Sequence, residues 1–104
     1  MPAVTPYVSI SQAGAGSSQI AAAIAGQKIR LRSIAGFLSA AGTVQLKDTD
    51  GTALSGAMNI GTTGGPVWPD NSEGWVETAS GKGLNIVSVT GAFNGVASVQ
   101  YVPG

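Results

Sequence analysis

The sequence predicts an all-β fold: a single compact β-sandwich, jelly-roll-like, with about eight short strands. Three observations carry this. Sixteen of the 104 residues are glycine, about twice the usual frequency. The glycines punctuate short runs rich in Val, Ile, Thr and Ser, several of which alternate apolar with polar residues. The best helical candidate, the alanines at 21–23 and 25, sits in a stretch between glycines too short for a stable helix.

Taken in order, residues 7–11 alternate and form the first strand, and 17–24 form a weaker second one ended at Gly26. The run 27–40 is the longest. Its first half places Ile29 and Leu31 on one face and Lys28, Arg30 and Arg32 on the other. Gly36 marks a bulge or bend within it. Residues 43–48 put Val44 and Leu46 inward, and Asp50-Gly51 signals a type I′ hairpin turn leading into a return strand at 53–60. A long loop spans 61–72, and 73–78, 84–90 and 95–102 supply the last three strands. No repeat or linker divides the chain, so residues 1–10 read as an extended N-terminal arm entering the first strand and 11–104 as one domain.

The composition excludes whole classes of chemistry. Hydrophobic residues make up 43% of the chain and charged ones 10%, five basic against five acidic, with no histidine and no cysteine. Leu, Ile, Val and Phe supply 24 of the 104 residues, enough for a core. Without Cys there is no disulfide framework, no thiolate nucleophile and no Cys-based metal site. Without His there is no Ser-His-Asp triad and no imidazole base or ligand. The chain therefore reads as non-enzymatic, with no cofactor and no metal. Five scattered cations at zero net charge argue against nucleic acid as a ligand. The uncharged windows 1–27 and 83–104 are broken by Gly, Ser, Gln, Asn or Pro, so no membrane span is expected, and the start lacks the pattern of a signal peptide. A weakly charged, neutral chain tends to associate, which points to a subunit packed against partners.

Several short patterns reduce to turns. Asp48-Thr49-Asp50-Gly51-Thr52 opens like a calcium loop, but the twelfth position is Asn59 rather than Glu. Gly14-Ala15-Gly16 and Gly81-Lys82-Gly83 lack the remainder of a nucleotide-binding fingerprint. Glu73, Trp75 and Glu77 alternate along a strand and would project from one face, either as an interface anchor with a wet rim or as a sugar platform. Lys28, Arg30 and Arg32 form a solvated face or meet a carboxylate-rich partner. Trp68, between Pro66 and Pro69, is a second candidate anchor.

Several blocks resemble a known family. They are Gly26-Gln27-Lys28-Ile29-Arg30-Leu31-Arg32-Ser33, Thr43-Val44, Leu54-Ser55-Gly56-Ala57-Met58-Asn59-Ile60, Gly64-Gly65, and the run from Gly74 to Ile86. In order, they resemble small virion proteins of tailed bacteriophages, of the capsid decoration (cement) type. The likeness covers roughly 20–102 and is most specific at Gly-Trp-x-Glu-Thr-Ala-x-Gly-x-x-Leu-Asn over 74–85. Such proteins often carry an aromatic where Val76 stands and an acid where Lys82 stands, departures that bear on surface chemistry rather than fold.

The resemblance implies a homotrimer on the outer surface of the capsid, made in the host bacterial cytoplasm, with the major capsid protein as its partner. Within that frame, 95–102 is expected at the trimer centre, with Val99 and Tyr101 among the contributors. Val4, Pro6 and Tyr7 are expected to dock in extended form on a neighbour, Tyr7 being the main anchor. The alternative function is a carbohydrate-binding β-sandwich module of a phage tail or fibre, using Trp75 or Trp68 with Glu73 and Glu77.

Overall fold

The computed structural model describes residues 4–61, 64, 65, 67–71 and 73–103, and the side chains of 4–7 lie outside that description. The expected arm residues Met1 to Ala3 therefore lie outside it, as do the side chains of Val4, Pro6 and Tyr7. Among the described residues there are nine strands and no helix: β1 (Val4–Ser11), β2 (Gly16–Ala21), β3 (Gln27–Leu38), β4 (Gly42–Asp48), β5 (Met58–Ile60), β6 (Val67–Trp68), β7 (Val76–Glu77), β8 (Leu84–Val89) and β9 (Phe93–Pro103). They form two antiparallel sheets. Sheet A runs β1-β9-β3-β6, with β7 also on β3, and sheet B runs β2-β8-β4-β5. With β6 and β7 counted as one interrupted strand, this order is compatible with a jelly roll.

The inward face of each strand follows from its period of two. Ile29, Leu31, Ile34, Leu38, Phe93, Ala97 and Val99 of sheet A face Ile20, Val44, Leu46, Leu84 and Ile86 of sheet B in a single core. Where the alternation in β3 slips, a bulge sets Arg32 and Ser33 against Ser98 and returns Ile34 to the core side opposite Ala97. The bulge falls four residues before Gly36. That glycine serves a close approach instead: a Cβ on Gly65 would lie 1.9 Å from the Gly36 carbonyl oxygen.

Several element boundaries differ from the sequence reading. β1 pairs with β9 from Val4 onward, and its register shifts between Thr5 and Val8, where Pro6 has no N–H to give. The last strand extends to Phe93 and Pro103, while the expected strands at 53–60 and 73–78 contract to β5 and β7. The turn after β4 is not type I′. Gly51 has positive φ (89°) but Asp50 does not. The buried Asp48 carboxylate organises this turn, accepting the N–H groups of Asp50 and Thr52, each at 2.9 Å.

Gln12, to which no sequence signal drew attention, closes the connection between the sheets. Its Oε1 accepts the Ser88 hydroxyl (2.6 Å) and the Phe93 N–H (2.8 Å), and its Nε2 donates to the Gly16 carbonyl (3.0 Å).

Gly65→Ala is expected to destabilise by about 1–3 kcal/mol through backbone overpacking. Gly56→Ala, with open space around it, should be neutral or stabilising by about 0.4–1 kcal/mol. Urea unfolding of the two variants reads the contrast. Lys82 donates to Asp50, and this hydrogen bond raises its pKa above the ordinary 10.5. Because the folded value is the raised one, the contribution is fully present below pH 10.5 and lost as pH climbs through the folded pKa. Thermal unfolding from pH 9 upward should show that extra alkaline loss in the native chain and not in Lys82→Met.

Candidate functional site: the outer face of sheet A

The outer face of sheet A gathers most of the residues expected to be functional, and register divides it into two parts. Lys28 and Arg30 point outward from the first half of β3. Pairing of β3 with β7 sets Glu77 directly opposite Arg30. Arg30 Nε donates to Glu77 Oε2 at 2.9 Å, and Lys28 Nζ stands 4.0 Å from Glu77 Oε1. The bulge re-aims Arg32, whose Nη2 donates to Asp70 Oδ2 at 3.0 Å while its Nε is buried without a partner. The expected row of open cations is thus a set of ion pairs. Each partner comes from far along the chain, which is why the sequence showed only the basic half.

The segment after β6 is stitched to the edge of β3 by backbone bonds from Asn71 N to Arg32 O, Trp75 N to Leu31 O and Thr78 N to Ile29 O. Asn71 Oδ1 accepts the Glu73 N–H at 3.0 Å, and the turn closes at Gly74 with φ 81°. A side chain at that position would be strained by the positive φ and would displace Arg30, since a Cβ there would lie 2.2 Å from Arg30 Cγ. Glu73 therefore sits in a turn ahead of the two-residue β7, so the expected single-face row of Glu73, Trp75 and Glu77 does not form. Trp68 and Trp75 do come together, ring centroids 5.5 Å apart and tilted 36°. Trp68 packs on the core, while Trp75 is 43% exposed and donates its indole N–H to Pro69 O at 2.8 Å.

Beyond Ser33 and Ser98 the face becomes apolar. Val96, Ala35 and Val67 form one cross-strand row over β9, β3 and β6, continued to β1 by Ser9. Phe37, two residues along β3 from Ala35, projects on the same side opposite Asn94. Val67 is 73% exposed, Phe37 51% and Val96 38%. A sheet buried on one face ordinarily shows polar residues on the other, so three large apolar side chains at adjoining positions make this patch a candidate contact surface. Among the described residues no group of three His, Cys, Asp or Glu side chains could hold a metal ion.

Two expected interface residues are corrected. Val99 is 1% exposed, pointing into its own core opposite Leu31, because β9 is flanked by β1 and β3 and turns one whole face inward. Tyr101 packs against the same core and donates its hydroxyl to Ala22 O at 2.8 Å, so its polar end is bound within the chain.

Comparison with family models, with curated proteins and with solved structures finds no match to this chain.

Val99→Lys is expected to unfold the protein, since an unpaired cation in this core costs several kcal/mol. Val96→Lys, three positions away on the opposite, solvent-facing side of β9, should leave the far-ultraviolet circular dichroism spectrum and the melting transition nearly unchanged.

Proposed function

We propose that this chain is a structural virion protein of a tailed bacteriophage, a capsid decoration protein that binds the outer head surface as a homotrimer and stabilises the shell. The observation that carries the reading is the outer face of sheet A, where Phe37, Val67 and Val96 expose apolar surface beside a rim of ion-paired side chains. An apolar centre with a polar rim is the anatomy of a protein-binding surface. The resemblance of the 74–85 run to decoration proteins supplies the identity of the partner, a major capsid protein. The role is structural rather than catalytic, in keeping with a chain that has neither His nor Cys. Lys28, Arg30 and Arg32 are engaged with Glu77 and Asp70 and do not form the basic stripe that phosphate backbones select.

A clip of this kind works by multivalency. Each subunit adds a modest contact, and tying three together makes the later contacts intramolecular, with avidity about 10²–10⁴ above a single one. Shell stabilisation then follows because the clip binds the assembled lattice and not its dispersed subunits.

A second reading, a carbohydrate-binding module of a tail or fibre, draws on the half-exposed Trp75 beside Trp68. It is weakened by the commitment of Glu77 to Arg30 and Lys28, and by the indole N–H already given to Pro69.

Co-sedimentation with expanded, undecorated heads of the cognate phage tests the proposal. Phe37→Asp and Val67→Asp are each expected to lower head affinity at least about tenfold, the effect of truncating an interface anchor, with folding intact. Native affinity in both variants would refute the docking face. Tryptophan fluorescence that responds to oligosaccharides while heads go unbound would favour the sugar module.

A further inference from the structure

The topology sorts the charges. All ten charged residues lie between Lys28 and Lys82, so 1–27 and 83–104 contain none. Those two uncharged ends of the chain build β1 and β2, β8 and β9. In sheet A β1 lies beside β9, and in sheet B β2 lies beside β8. β1 also touches β2 across the sandwich. One lateral half of the molecule is therefore uncharged in all four of its strands. The other half holds the charged strands β3, β4 and β7 together with the short uncharged β5 and β6.

The uncharged half ends in two open strand edges on the same side. Among the described residues β1 is hydrogen-bonded only to β9, and β2 only to β8. Their regular stretches match in length: residues 8–11 pair in unbroken register with β9, and 16–19 do so with β8. The side chains at these edges are small or neutral, with Ser9, Ser11, Ser17 and Gln19 exposed. Edge strands that must remain unpaired usually carry Lys or other charges, and neither of these does. The opposite side is blunted, its edges consisting of β5, β6 and β7, two or three residues each.

We infer that the β1/β2 side is where copies of this chain join, the edge of β1 in one copy pairing with the edge of β2 in the next. The occupant is a second copy because the matching is internal to the chain. The two edges are equal in regular length and alike in polarity, and the chain's net charge of zero leaves no long-range repulsion between copies. An isologous pairing of β1 with β1 would leave β2 open. Pairing β1 with β2 uses both edges; repeated head-to-tail among three copies related by a three-fold rotation it forms a ring, whereas a two-fold pairing of the same edges stops at a dimer. With both edges on one side of each sandwich, the ring places its uncharged halves at the axis and the charged halves and the short strands outward. This deepens the proposed decoration role by naming the surface that makes the homotrimer, an edge that adjoins the face proposed to bind heads at Ser9.

Sedimentation equilibrium on the full chain tests the inference, with Ser9→Lys, Ser17→Lys and, as a control on the blunted side, Asn59→Lys. The native chain and Asn59→Lys are expected at three times the 10.3 kDa chain mass, and the two edge variants at that mass itself with an unchanged circular dichroism spectrum. A monomeric or dimeric native chain overturns the inference, as does assembly that survives both edge substitutions or is lost in Asn59→Lys. Assembly abolished by Ser9→Lys but intact in Ser17→Lys overturns the β1-to-β2 pairing. Should an edge variant fail to fold, hydrogen exchange on the native chain decides. Protection in β1 and β2 should rise with protein concentration, and protection that rises elsewhere or not at all counts against it. Head binding by the Phe37 and Val67 variants is read separately, so a failed edge and a failed docking face are told apart.

Discussion

The pairing of β3 with β9 is the constraint on which the remaining structure depends. It is the longest ladder in the molecule, running from Gln27 opposite Pro103 to Leu38 opposite Phe93. Both strands send one face into the core, and each carries a further strand on its other edge: β1 on β9, and β6 with β7 on β3. A slip of one residue in this ladder would turn one strand's core set outward, Ile29 and Leu31 of β3 or Ala97 and Val99 of β9. The bulge at Arg32 and Ser33 lets both halves of β3 remain in phase with the core, and it also lifts Arg32 out of the row of Lys28 and Arg30 toward Asp70. One local irregularity thus serves packing and the surface at once.

The ion pairs on that surface contribute little to stability. Exposed pairs are worth about 0–1 kcal/mol each, and Glu77 and Asp70 are a third and nearly two thirds exposed. Their consequence is geometric. Glu77 holds Arg30, Asp70 holds Arg32, and the backbone bonds from Asn71, Trp75 and Thr78 fasten the intervening segment along β3. The two indoles are fixed against each other in the same segment. A surface held in place before it meets a partner loses less rotational freedom on binding than one that must order itself.

Much of this architecture was legible in the sequence, and the remainder was lost for identifiable reasons. Alternation located β3, β4 and β8 within a residue or two, since a strand with one buried face writes a period of two. It also assigned Val44, Leu46, Ile29 and Leu31 correctly to the interior. Strand order was not legible, because alternation states which face a residue takes and says nothing about which strand lies beside it. Val99 was read as a contact residue for that reason: with its flanking strands unknown, a run holding apolar residues on both sides of the alternation had no visible core to enter. The partners of the cations were hidden by separation, 47 residues from Arg30 to Glu77 and 38 from Arg32 to Asp70. Gln12 gave no signal, since a lone amide in a polar loop carries no period, and only the fold brings Ser88 and Phe93 to it.

Chain order and charge also connect through the topology. An antiparallel sandwich whose first strand pairs with its last must bring the two ends of the sequence to one side. When those ends are uncharged, the result is a molecule with a neutral lateral half and a charged one, although no short window of the sequence has such a polarity. The apolar patch crosses the boundary between the halves, with Val96 on the neutral side and Phe37 and Val67 on the other. A partner seated on that patch would therefore meet neutral surface in one direction and fixed ion pairs in the other, a difference that would set its orientation more than its affinity.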